Sequence, residues 1–201
     1  MQFKGFRPTR MKNGSTCLPG LEASVIVGNA TTIVFAGSAL KNSTAGVVAM
    51  TANSESILGY CMGFIVKYGD LNLPLAKVAT NTAYVDGTFT AVTTGDKYVA
   101  AADNVTDKKI AAMYMPASDI VCSALLDADV ATTTGSGIVN YYLDIETTAG
   151  NAATILDESS ASATAAQWLL VAGLSGSSAV DPTAPLTGDR RVMVIANEVE
   201  L

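Results

Sequence analysis

The apolar residues of this chain come in short runs that alternate with polar ones at a period of two, the spacing of strands rather than helices. Across residues 60–68, Tyr60, Met62, Phe64, Val66 and Tyr68 share one face. Cys61, Gly63, Ile65 and Lys67 take the other, and Gly69-Asp70 predicts a turn at the end. Residues 140–146 repeat the logic, with Tyr141, Leu143 and Ile145 inward and Asp144 and Glu146 outward. Residues 191–197 are apolar on both faces, which predicts a central strand. Residues 84–90 predict a hairpin, because Asp86-Gly87 supplies the positive φ of a two-residue turn. The one helical signal is the Ala-rich stretch 160–170, where a strand ending at Gly173 competes. No repeat holds register, and residues 132–137 and 174–178 read as low-complexity loops. The pattern predicts an all-β fold, a β-barrel or β-sandwich with at most one short helix.

The first twenty residues differ in texture. Gly5, Pro8, Gly14, Pro19 and Gly20 punctuate them too densely for a helix or a long strand. They predict an extended N-terminal arm over 1–20 that gains order by lying on another surface, followed by one β domain over 21–201, or two small lobes.

Composition narrows the chemistry. Of 201 residues 49% are hydrophobic and 15% charged, enough for a full apolar core and unlike a disordered chain. Histidine is absent, which removes Ser-His-Asp and Cys-His pairs, His-built zinc sites and any histidine acid/base step. The three cysteines, Cys17, Cys61 and Cys122, form no C-x-x-C pair, and Cys61 and Cys122 sit in apolar runs as small core residues. This usage predicts reduced thiols and assembly in a cytoplasm. The N-terminus lacks the apolar stretch of a secretory signal, and no run approaches the length of a membrane span. Four Asn-x-Ser/Thr triplets, starting at Asn13, Asn29, Asn42 and Asn104, carry no weight without such a signal.

Charge is uneven. The net charge is −6, to which Lys4, Arg7, Arg10 and Lys12, with no acid among them, contribute +4 and the rest −10. An acidic chain of this kind is not expected to bind nucleic acid. A basic arm on an acidic body suits docking onto another copy or onto an acidic protein surface.

Specific motifs yield little. Gly135-Ser136-Gly137 begins like a dinucleotide fingerprint, but Asn stands at position 140 and no helix pattern follows. Asp127-Ala128-Asp129, with Asp157-Glu158, could cluster for Ca²⁺ or Mg²⁺, yet the spacing is not that of an EF-hand and no metal is assigned. Trp168, flanked by Leu169, Leu170 and Val171, reads as a core residue. No spacing singles out a pair of acids for a hydrolase. No catalytic residue and no cofactor are predicted.

The opening Phe3-Lys4-Gly5-Phe6-Arg7-Pro8-Thr9-Arg10-Met11-Lys12-Asn13-Gly14-Ser15 resembles the start of a group of tailed-bacteriophage head decoration, or cement, proteins. Residues 58–68, 119–124 and 190–199 are similar in order and character. The resemblance implies a non-enzymatic virion protein that binds the capsid exterior through the major capsid protein and forms a homotrimer. The arm is its best-matching part, so Phe3, Phe6, Arg7, Arg10 and Lys12 are the expected partner-binding residues: the aromatics as anchors, the cations toward carboxylates or carbonyls. Two other readings are a surface-recognition or carbohydrate-binding β-module and a small carboxylate-dependent hydrolase.

Overall fold

The computed structural model describes residues 5–26, 33–44, 46–68, 71–74, 82–85, 88–91, 97–99, 109–127, 140–147, 153–163, 166–174 and 191–199. Among these every regular element is a strand. In chain order they are β1 (Arg7–Met11), β2 (Glu22–Val25), β3 (Ile33–Phe35), β4 (Ala39–Ser43), β5 (Gly46–Ala49), β6 (Gly59–Tyr68), β7 (Leu71–Pro74) and β8 (Thr82–Val85). There follow β9 (Thr88–Ala91), β10 (Lys97–Val99), β11 (Lys109–Pro116), β12 (Ile120–Leu126), β13 (Tyr142–Ile145), β14 (Ile155–Ser162), β15 (Trp168–Leu174) and β16 (Arg191–Ala196).

The last five strands close into a barrel. Pairing runs β12-β14-β13-β15-β16 and returns from β16 to β12, so no strand of the ring is left with a bare edge. All these contacts are antiparallel except β12–β14, which is parallel through Leu125↔Ile155 and Leu126↔Leu156. β16 is central, as its sequence predicts. Its burial nevertheless alternates: Val192, Val194 and Ala196 point inward, while Met193 and Ile195 are half-buried on the outer face. A barrel needs only one fully apolar face.

Of the two readings left open over 160–170, the described residues take the strand. β14 ends at Ser162 and β15 starts at Trp168, and the alternation that buries Trp168 and Leu170 outweighs the helix propensity of the preceding alanines.

A second sheet runs β2-β11-β6-β4-β5, with β7 on β6. An isolated parallel bridge, Ile26↔Val47, brings its first and last strands together. The predicted turns at 69–70 and 86–87 are bracketed by Tyr68↔Leu71 and Val85↔Thr88, the registers of two-residue hairpins. The turn residues themselves lie outside the described set, as do 132–137 and 175–178. In β6 the strict alternation breaks at Met62, which has no partner between Cys61↔Tyr114 and Gly63↔Met113. Tyr60 and Cys61, the two residues before this bulge, are both fully buried.

One apolar cluster spans both sheets. At its centre Phe6 stacks on Trp168 of β15 (centroids 5.0 Å apart) and lies 5.1 Å from the ring of Tyr60 on β6. The Trp168 indole N–H donates to the Tyr60 hydroxyl at 3.2 Å, which satisfies the polar tip of a fully buried indole. Gln167, also fully buried, joins the sheets through its amide. Its Oε1 accepts from Ile145 N, and its Nε2 donates to the carbonyls of Ala52 and Glu55. Glu55 holds that loop in shape by accepting from Thr51 N and Ala52 N, and from the Lys41 ammonium.

Candidate functional site

The residues expected to bind a partner divide into two groups once the chain is folded. Residues 7–11 form β1, which pairs antiparallel with β12 from Arg7↔Ser123 to Met11↔Ile120. The arm is therefore docked on its own domain, not held only by an external surface. Gly5, which in the sequence reads as a breaker, is what permits this. A Cβ on Gly5 would stand 2.5 Å from Gly37 O and 2.7 Å from Thr154 O. The absence of a side chain lets the arm lie against the 36–38 turn, where Phe6 N donates to Gly37 O at 2.9 Å.

Phe6 corrects the expectation most sharply. It is fully buried in this chain's own core and cannot serve as an anchor on a partner while docked there. Phe3 lies outside the described residues. Arg7, Arg10 and Lys12 remain exposed. The Lys12 ammonium stands 3.7 Å from Asp119, and Lys12 N donates to Asp119 O at 2.7 Å, which ties the end of β1 to the β11–β12 turn.

β1 also carries the devices that discourage strand addition at an edge. Pro8 removes a donor, and Thr9 bulges out between Pro8↔Cys122 and Arg10↔Val121, its hydroxyl donating to Val121 O at 2.8 Å. Two arginines flank the bulge. Such an edge is suited to recognition through side chains, and poorly suited to extending a sheet through its backbone.

A second cluster lies at one end of the barrel. Asp127 follows β12, Glu146 follows β13, and Asp157 is on β14. Asp127 N donates to Leu156 O and Glu146 N to Ile155 O, so three strands converge at the start of β14. Oxygens of the three half-buried carboxylates lie within 4.8 Å of one another. The sequence pointed to Asp127 and Asp157 and missed Glu146, which read as an outward residue of its strand. Asp129 is outside the described residues, and nothing is described of the Glu158 side chain. Three carboxylates are the donor set of a hard divalent cation, and these are the residues that could hold one. One oxygen of Asp157 already accepts from Ser159 N (2.8 Å) and Ser159 Oγ (2.6 Å).

The buried thiols are not nucleophiles. Burial pushes Cys61 up to about 12 and raises Cys122 further, so neither is a thiolate near neutral pH. Burial, then the neighbouring Cys122, raises the Tyr60 phenol well above its ordinary value. Tyr114 donates to Glu22 Oε2 at 2.6 Å, and burial followed by that bond pushes its phenol up to about 12. Compared with family models, curated proteins and solved structures, the chain matches none.

Proposed function

We propose that this protein is a non-enzymatic structural subunit that binds the outside of a tailed-phage capsid and stabilises it, as a homo-oligomer, most simply a trimer. The observation that carries the reading is the exposed basic edge of β1, with Arg7, Arg10 and Lys12, on a chain whose net charge without these three is −9 (−6 − 3). The resemblance of residues 3–15 to the start of decoration proteins supports it from the sequence. The contact is made by side chains. Guanidinium groups form directional, bidentate bonds to carboxylates of the capsid protein or of a second copy, and Pro8 with the Thr9 bulge keeps the backbone out of the contact.

Deleting residues 1–14 is not a clean test, because it removes Phe6 from the core. The double substitution Arg7→Glu, Arg10→Glu leaves Phe6 in the core and changes two exposed side chains. Wild-type protein added to undecorated heads should bind and raise their resistance to heat. The double variant should fold normally and bind at least about tenfold more weakly, since each charge-assisted bond contributes roughly 1.5–3 kcal/mol. Equal decoration by both proteins would remove the β1 edge from the contact, and failure of the wild type to bind heads would overturn the reading itself.

A further inference from the structure

We infer that Asn13 is a site of spontaneous deamidation whose rate is governed by the folding of the turn that follows β1. Asn13-Gly14 is the only Asn-Gly pair in the sequence. Without a side chain at residue 14, the following amide nitrogen is free of the steric hindrance that slows ring closure elsewhere. Both residues are exposed, so water reaches them.

The chemistry needs no partner but water. Gly14 N, on losing its proton, attacks Asn13 Cγ, and the new C–N bond closes a five-membered imide. The Cγ–Nδ2 bond breaks, and ammonia leaves with the proton. Water then opens the imide at either carbonyl, leaving an aspartate or a β-linked isoaspartate at position 13. One neutral, exposed side chain next to Lys12 in the chain becomes an anion.

The fold opposes the first step. Gly14 N donates to Met11 O at 2.9 Å, and Asn13 Oδ1 accepts from Ser15 N at 2.9 Å. Met11 N donates to Ser15 O at 2.8 Å, and Gly14 sits at φ +86°, in the left-handed region that favours glycine. Lys12 N is bonded to Asp119 O, outside the loop. For attack, Gly14 N must leave Met11 O and swing toward Asn13 Cγ, which opens the loop. The rate then follows the fraction of molecules with the loop open.

The test is peptide mapping by mass spectrometry of the full chain at mildly alkaline pH, folded and in guanidinium chloride. Deamidation adds one mass unit, and sequencing of the peptide's fragment ions places the shift at residue 13 rather than at another asparagine such as Asn29. In denaturant Asn13 should convert at least about tenfold faster than in the folded protein, as expected for a loop closed most of the time. Asn13→Gln should abolish the shift in that peptide. Equal rates in the two states would overturn control by the fold. No conversion at residue 13 in denaturant would overturn the site.

Discussion

Phe6 is the residue on which the two halves of the molecule meet. Its ring packs against an aromatic from each sheet, so truncation leaves a cavity lined from both. Phe6→Ala should destabilise the protein by about 3–5 kcal/mol in urea unfolding, whereas Phe6→Leu should cost much less. Gly5→Ala should cost about 1–3 kcal/mol, because the added methyl meets backbone on two sides and backbone cannot step aside. Glu55 makes a pH-dependent contribution. Burial opposes its charge, but the Lys41 bond and the amides of Thr51 and Ala52 outweigh burial and hold its pKa below the ordinary 4.5. The folded state thus binds the proton less readily than the unfolded chain. The resulting stability is fully present above the unfolded value and is lost as pH falls through the lowered folded one. Chemical denaturation from pH 7 down to pH 3 should show this loss in the wild type and a shallower profile in Glu55→Gln.

At the scale of elements, the strands are held in register by local features that a pattern of apolar residues does not contain. β6 and β11 approach so closely at Gly59 that a Cβ there would stand 2.5 Å from Met115 O. Gly59→Ala should therefore push these strands apart, and a fall of about 1–3 kcal/mol in stability is expected, with amide exchange accelerating first along β6 and β11. The link between the sheets, from β11 to β12, turns at Asp119 with φ +60°, a conformation that Asp tolerates and β-branched residues do not. Met62 is a comparable case in the middle of β6. The alternation of residues 60–68 is legible in the sequence, but the bulge at Met62 is not. It depends on the mismatch in length between β6 and β11, segments far apart in the chain.

Among the described residues two six-stranded sheets share one apolar core, with a basic edge on an otherwise acidic chain. If that edge meets carboxylates of a partner, association should weaken steeply with added salt, because exposed charges are screened over about 10 Å at 0.1 M. Multi-angle light scattering of the wild type at low and high salt, beside the double arginine variant, measures this directly. A loss of oligomer in both the high-salt and the variant sample is the expected result. A salt-insensitive oligomer would place the subunit contact on an apolar face instead.

Legible from the chain alone are the strand content, the faces of β13, the central place of β16, the turn that closes β6, the β8–β9 hairpin, and the burial of Cys61, Cys122 and Trp168. Those follow from neighbours in the chain: period two assigns a face, and a two-residue turn fixes the next strand's register. Only the tertiary structure decided that β12 to β16 close on themselves, that Glu146 joins Asp127 and Asp157, and that the arm docks on its own domain. Each of these depends on shape complementarity between distant segments. Nothing within residues 1–20 tells Phe6 that Tyr60 and Trp168 will leave a slot of its size, or that Gly37 will face Gly5 with no side chain between them. A glycine spelled the same way can break a strand or let two backbones touch, and the difference lies in what stands opposite.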